Sequence, residues 1–347
     1  MDKIRNIHVG LGRWGTNWAA HVLEDHPDIE TVAYVELDAA KRAAMATRLG
    51  LPESMFFADL GEALAKIPSE TVTIAVPVAA HAPTAQQALE AGRHVVVEKP
   101  FTATLAEAKA LVALAAARGL TLAVSQNYRY YPAAQMVADL AHRGYFGRII
   151  GGKIDFRRNG IMERAGNIDW PHPMLADMAV HHYDLMRMVI GEDPIEVTAR
   201  SWNPLGSPYR EDAAAAMVLT FPGATISYRG SWMDPSPQTA WAGDWQLDCE
   251  RASILWTGRG DQPWQTKRDR VQIRRPNNPE LEDVELPDYP LHDRAGVLAA
   301  LAEAIRSGKE PAFFPSGRAN LGTLMMIEAA IKSAANGGAP VRLDSIA

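Results

Sequence analysis

Apolar and polar positions change period repeatedly along the first 125 residues. Short runs rich in β-branched residues, at 4–9, 31–35, 71–76, 95–97 and 121–124 with a weaker one at 55–57, are separated by alanine- and leucine-rich stretches at 13–24, 39–49, 80–91 and 105–118. Strand-length runs alternating with helix-length ones predict a parallel sheet covered by helices. Gly92 and Gly119 stand just past two of the helical stretches, where a residue free to adopt the left-handed conformation ends a helix. Near residue 125 the pattern changes, and Gln126-Asn127-Tyr128-Arg129-Tyr130-Tyr131-Pro132 reads as a linker. Beyond it, β-like runs at 148–156, 195–202, 214–221, 225–232, 245–249, 253–256 and 271–274 follow one another without helices between them. They predict a mostly antiparallel sheet, preceded by one helix at 175–190 and closed by helical stretches at 295–307 and 319–335. The expected fold class is α/β: a doubly wound parallel sheet over 1–125, and over 126–347 an α/β domain with a large, mostly antiparallel open sheet.

Composition narrows the class without naming it. A chain of 347 residues is beyond the size at which one core usually stops growing, which fits two domains. With 47% hydrophobic and 22% charged residues it is ordinary globular material. The net charge of −6, without a lysine or arginine block, gives no sign of a nucleic-acid surface. No apolar stretch approaches the about 20 residues that a membrane span requires. Cys249 is the only cysteine, so there is no intrachain disulfide and no multi-cysteine zinc site. The first residues run directly into a strand pattern and lack the apolar stretch of a signal peptide. A cytoplasmic protein acting on a small molecule, with neither nucleic acid nor membrane as partner, is the expectation.

Right after the first strand comes Gly10-Leu11-Gly12-Arg13-Trp14-Gly15, a G-x-G-x-x-G string. With 26 glycines in the chain this string arises by chance in roughly one such sequence in seven, so its position between a strand and a helix carries the argument. The first glycine permits a tight turn, the second lets a pyrophosphate approach the backbone, and the third allows close strand–helix packing. Glu36 ends the second strand twenty-one residues beyond Gly15, near the spacing of a carboxylate that binds the adenosine ribose. A carboxylate accepts hydrogen bonds from both ribose hydroxyls and repels a 2′-phosphate, and position 37 is leucine. NAD is therefore the expected cofactor, with NADP less favoured although Lys41 and Arg42 lie close by. Asp38 is expected to cap the next helix.

Two further features carry chemistry. Glu98-Lys99-Pro100 follows the apolar run 95–97, which puts an amine where a buried strand opens, with its backbone held extended by the proline. The second feature is Asp177-Met178-Ala179-Val180-His181-His182-Tyr183-Asp184. At about 100° per residue, His181 lies roughly 40° from Asp177, and Asp184 roughly 20° to the other side, so all three share a helical face. Such a face suits an acid–base pair. A metal site would need a third ligand, for which only His172 and Asp184 offer themselves, and no metal is expected. His182 points elsewhere and reads as structural. Six of the nine tryptophans fall between Trp202 and Trp264, as core or interface residues more readily than as sugar-stacking platforms. Arg157 and Arg158 read as a solvated strand end, with reception of a substrate carboxylate as the alternative.

Taken in order, the glycine loop, Gly92-Arg93-His94-Val95-Val96-Val97-Glu98-Lys99-Pro100, Asn127-Tyr128-Arg129 and Asp177-x-x-x-His181-x-x-Asp184 resemble the glucose-fructose oxidoreductase and inositol dehydrogenase family, Gfo/Idh/MocA, over nearly the whole chain. The resemblance implies a Rossmann domain for cofactor, a second domain for substrate and oligomerisation, and a homodimer or homotetramer. It implies oxidation of a secondary hydroxyl on a sugar, cyclitol or related polyol by hydride transfer to NAD. The catalytic positions it implies are Lys99, Asp177 and His181. It also implies cofactor contacts from Gly10, Gly12, Arg13, Trp14, Gly15, Glu36, Pro77, His81, Glu98 and Lys99, and substrate contacts from Lys99, Asn127, Arg129, Asp177 and His181. Two positions depart from the family pattern: Trp170-Pro171-His172-Pro173-Met174-Leu175-Ala176 replaces a glycine cluster, and Val78 stands where asparagine is common. Reduction of a keto sugar, a sugar–sugar exchange on a retained cofactor, and a non-catalytic nucleotide-responsive protein stay open as alternatives.

Overall fold

The computed structural model of the chain describes residues 2–159, 168–260 and 268–346. Its first part alternates as the hydrophobic pattern predicts. The strands are β1 (Ile4–Val9), β2 (Ile29–Val35), β3 (Phe56–Phe57), β4 (Thr71–Ile74), β5 (His94–Val97) and β6 (Leu122–Val124). Between them run α1 (Arg13–Trp18), α2 (Ala39–Leu49), α3 (Leu60–Lys66), α4 (His81–Glu90) and α5 (Leu105–Arg118). All six strands are parallel, in the order β3-β2-β1-β4-β5-β6. Asp38 caps α2, its Oδ1 accepting from the Ala40 and Lys41 amides at 2.8 and 3.4 Å, and Gly50 and Gly119 close α2 and α5 in the left-handed conformation. The helix expected over 13–24 is α-helical only to Trp18 and continues as a π-helix over Ala19–Leu23. The short α3 has no counterpart in the sequence reading.

From residue 128 the chain builds a second sheet. It comprises α6 (Pro132–His142), β7 (Ile149–Arg157), α7 (Ala179–Ile190), β8 (Glu196–Trp202), β9 (Ala214–Thr220), β10 (Thr225–Ser231), β11 (Asp244–Cys249), β12 (Ser253–Thr257), β13 (Arg270–Arg274) and β14 (Leu281–Val284). The chain then closes with α8 (Asp293–Ser307), α9 (Gly317–Ala335) and β15 (Val341–Arg342). The sheet order is β14-β13-β12-β11-β7-β10-β9-β8-β15, antiparallel throughout except where β10 pairs with β7. Alternation along the strands buries one face: Ile154 and Phe156 on β7, Met217 and Leu219 on β9, Trp245 and Leu247 on β11, Ile254 and Trp256 on β12. Trp245 and Trp256 are a cross-strand pair with rings stacked at 4.7 Å, and Trp232 is fully enclosed, so these three tryptophans are core residues as expected. Trp264 lies outside the described residues.

Contacts divide the chain into one unit of Met1–Asn127 with Leu291–Leu321, and another of Tyr128–Pro290 with Gly322–Ala347. The expected single boundary at 125/126 is therefore revised, because 291–321 returns to the first sheet. Val297, Leu298 and Leu301 of α8 are fully buried, Arg306 pairs with Asp28 at 2.6 Å, and the Val124 amide donates to the Pro315 carbonyl at 2.9 Å, covering the β6 edge. Sequence order concealed this, since an amphipathic helix does not announce which sheet it covers. Residues 126–132 carry the junction of the two units, as expected, but as ordered structure: Asn127–Tyr130 forms a 3-10 turn and Pro132 opens α6 at a position where a missing N–H costs nothing.

The capping box of α5, in which Thr104 Oγ1 accepts from the Glu107 amide at 3.2 Å and Glu107 answers with the Thr104 amide at 3.0 Å, yields a direct expectation. Thr104→Ala lowers the stability of the first unit by about 1 kcal/mol, read as a lower urea midpoint. An unchanged midpoint would show that the box contributes nothing.

Candidate active site

The expected cofactor residues gather at the carboxyl ends of the parallel strands. β1 lies beside β4, the point where the strand order reverses and where open α/β sheets bind their ligands. The loop leaving β1 is shaped by steric limits. Gly10 has φ 99°, and a Cβ there would stand 2.5 Å from the Ala75 carbonyl oxygen; one at Gly15 would stand 2.0 Å from the Gly10 carbonyl oxygen. A Cβ on Gly12 would meet nothing within 4 Å. Only the middle glycine faces open space, the cradle that a pyrophosphate fills. Arg13 and Trp14 begin α1, both exposed, with no side chain capping the helix. Behind the loop, His8 Nε2 lies 3.0 Å from the Gly15 carbonyl oxygen, and burial pushes the pKa of this ring down to about 4.

Glu36 at the end of β2 accepts from the Leu11 amide at 2.8 Å and from the Asp38 amide at 3.1 Å. These bonds fix the carboxylate over the glycine loop, where a ribose would meet it. Arg42 donates from Nη1 to the Glu36 and Leu37 carbonyls at 2.6 and 2.9 Å. Pro77 follows β4 and leads into a 3-10 turn, Val78–Ala80. The open cradle at Gly12 and the acceptor-only carboxylate beside it fit a dinucleotide.

Two of the residues expected at the cofactor also tie the surrounding loops together. His81 is buried, with Nδ1 2.9 Å from the Pro100 carbonyl and Nε2 2.9 Å from the Val76 carbonyl. Burial lowers its pKa, outweighing those carbonyls and Glu98, which favour the charged ring. This histidine ties the loop after β4 to the loop after β5. Glu98 is also buried and accepts from the Trp18 indole at 2.7 Å and the Lys99 amide at 3.0 Å, joining α1 to the end of β5. Lys99 itself is half-buried, and its peptide bond to Pro100 is cis. Asn127, expected at the substrate, donates to the Asp293 carboxylate of the returning segment.

In the second unit, Asp177 lies in a π-helix over Pro173–Met178 and His181 in the first turn of α7; both are buried. The single helix expected over 175–190 is therefore two. A π turn closes through i→i+5 bonds and is wider than an α turn, so the 100° arithmetic does not carry across from Asp177 to His181. Asp184 is not a partner in an acid–base face either. It accepts from Arg129 at 2.6 Å through Nε and 2.8 Å through Nη2, with Thr323 Oγ1 3.3 Å away, and the ion pair is enclosed. Arg129, expected to bind substrate, is thus held by an enclosed ion pair. Sequence reasoning missed this pair, although an aspartate flanked by Tyr183, Leu185 and Met186 on a largely apolar helix was the available signal. Arg158, read as solvated, is fully buried, with its guanidinium 3.7 Å from the Trp241 ring centroid and Nη1 2.8 Å from Gln238 Oε1. Arg157 pairs with Asp155 and Asp244. His172 is held by Glu211, and among the described residues no group of three or more His, Cys, Asp or Glu is placed to hold a metal ion. Nor is any described helix long and apolar enough to cross a membrane.

A dinucleotide loop on a parallel sheet, followed by a mostly antiparallel one, defines a class: two-domain, NAD(P)-dependent oxidoreductases. Residues 4–126 match the oxidoreductase family model with an NAD-binding Rossmann fold, and 134–255 match the GFO/IDH/MocA C-terminal domain. The chain belongs to the Gfo/Idh/MocA family. It is 26% identical over 351 residues to a D-apiose dehydrogenase of Paraburkholderia graminis, covering 97% of this chain and 89% of that one. It is 28% identical over 260 residues to a dTDP-3,4-didehydro-2,6-dideoxy-alpha-D-glucose 3-reductase of Streptomyces violaceoruber, covering 72% and 71%. In fold it is similar to an oxidoreductase from Agrobacterium radiobacter crystallised with NAD+, L-tartaric acid and magnesium, with TM-score 0.86 and 21% identity over all of both chains.

His182 is structural, as expected. Its Nε2 lies 3.1 Å from the Trp241 carbonyl, which only accepts, so Nδ1 receives the Tyr228 hydroxyl at 2.9 Å and the ring is a neutral tautomer. Burial pushes its pKa from 6.5 down to about 4. As pH falls the unfolded chain binds this proton first. The stability that neutral His182 contributes is complete above pH 6.5, declines towards about pH 4 and is absent below it, a loss of up to about 3 kcal/mol. Urea unfolding of the second unit between pH 7.5 and 4.5 is expected to show this decline, and His182→Gln to flatten it. Equal slopes would exclude His182 as the source.

Proposed function

We propose that this chain oxidises a secondary hydroxyl on a sugar, cyclitol or related polyol, with NAD as hydride acceptor. The observation that carries the cofactor half is the Glu36 carboxylate fixed by the Leu11 and Asp38 amides above the open Gly12 cradle. It receives ribose hydroxyls and repels a 2′-phosphate, which favours NAD over NADP. Membership of an oxidoreductase family and similarity to a D-apiose dehydrogenase support the substrate class.

Bound NAD supplies an electrophilic nicotinamide carbon that takes up hydride. The residues supply the proton chemistry. His181, as a neutral imidazole, takes the proton of the substrate hydroxyl. Lys99, anchored through Glu98 at the end of β5, donates a hydrogen bond and steadies the developing alkoxide, while Asp177 orients a neighbouring hydroxyl. Arg129 and His81 act through the scaffold. The same reading takes the protein as cytoplasmic and as a homodimer or homotetramer built on the second sheet, whose outer face is exposed at Lys153, Val218, Ser227 and Arg229.

Lys99→Met is expected to lower turnover by about 10²- to 10⁴-fold while NAD affinity, measured by calorimetry, changes little. NADH formation across inositols, aldoses and pentoses identifies the substrate. Near-native turnover in the variant would remove the lysine from the chemistry, and NAD binding without turnover on the whole panel would overturn the proposed oxidation.

A further inference from the structure

Two consecutive residues grip α7 at positions three apart. Arg129 holds Asp184 through two hydrogen bonds, and Tyr128 lies flat on His181, ring centroids 4.1 Å apart and planes inclined by 17°. The stack continues outward. Tyr131 covers the Tyr128 ring at 5.1 Å and 21°, and the Arg259 guanidinium stands 5.9 Å from the Tyr131 centroid. The Asn127–Tyr130 turn, with the Tyr131 amide donating to the Tyr128 carbonyl at 3.2 Å, sets the spacing of these groups.

We infer that Tyr128 is a positioning residue for His181: its ring fixes the imidazole plane and stabilises the imidazolium that forms when the substrate hydroxyl gives up its proton. Both parts follow from the stack. An imidazole turns about its Cβ–Cγ bond, and that turn swings its nitrogens out of line with a hydroxyl; a flat ring 4.1 Å away blocks it. An aromatic face also attracts a cation within about 6 Å. The ion pair next door fits the same role. Burying an arginine and an aspartate yields little net stability compared with an apolar pair, whereas bidentate geometry fixes direction, and the direction fixed is that of the segment carrying Tyr128.

This inference rests on His181 as the proton acceptor, and the test separates the two. In Tyr128→Leu, kcat is expected to fall about 10²-fold with KM within about twofold, in a protein that still melts cooperatively. Tyr128→Phe, which restores the ring without the hydroxyl, recovers most of the loss. In the substrate-free protein, ¹³C relaxation of the His181 ring by NMR shows a restricted imidazole in the wild type and a mobile one in Tyr128→Leu. Near-native kcat in Tyr128→Leu combined with a large loss in His181→Asn overturns the inference, as does failure of phenylalanine to restore activity. Retained turnover in His181→Asn overturns the proton-acceptor reading instead, and the NMR comparison then decides the positioning on its own. Should Tyr128→Leu not fold, Tyr131→Leu loosens the same stack from outside: a several-fold fall in kcat supports the inference and an unchanged kcat overturns it.

Discussion

A charge withdrawn from water has to be met by a partner, and that constraint sets the geometry of both units. In the first, the Glu98 carboxylate is enclosed at the end of β5 and is met by the Trp18 indole and the Lys99 amide. Trp18 lies on the helix that follows the glycine loop, so one buried acid couples the backbone that cradles phosphate to the backbone that carries the lysine. In the second, Asp184 is met by Arg129, and the pair joins α7 to the turn before α6. Neither carboxylate has to touch a substrate to matter. Each settles where a neighbouring reactive group sits.

The glycine loop works by a different limit, the room between chain segments. Gly10 and Gly15 are pressed against carbonyl oxygens, and only Gly12 opens outwards. The chemistry of the loop is thus that of the backbone, with Arg13 exposed and the Trp14 ring partly covered by the Arg294 guanidinium at 4.5 Å. Glu36 adds a side-chain carboxylate, itself held by backbone amides. Such a site is assembled before any ligand arrives.

Much of this was legible in the sequence where a local signal is enough. β1, α2 and α5 begin and end where the periodicity and capping residues place them, and the antiparallel second sheet follows from consecutive strand patterns. What was hidden depends on distant partners. Nothing local in 295–307 says that α8 covers the first sheet, nothing in Tyr-Tyr-Pro separates a linker from the start of α6, and π turns leave no periodic mark of their own. Site residues divide in the same way. Glu36 and the glycines were read from spacing, because their task is set by nearby backbone. For His81, Glu98 and Arg129 the sequence showed none of the carbonyl, indole and carboxylate partners they have within the fold, because those partners come from other elements.

The returning segment has a bearing on how the protein comes into being. The first sheet is made of strands between Ile4 and Val124, yet α8 and the strip that closes its β6 edge belong to 291–321. The second sheet reaches further still, since its edge strand β15 is Val341–Arg342. Each unit is therefore closed by a segment far along the chain from the edge it covers. Until those segments are in place the β6 and β8 edges are unpaired, and an unpaired edge is where another chain can add a strand.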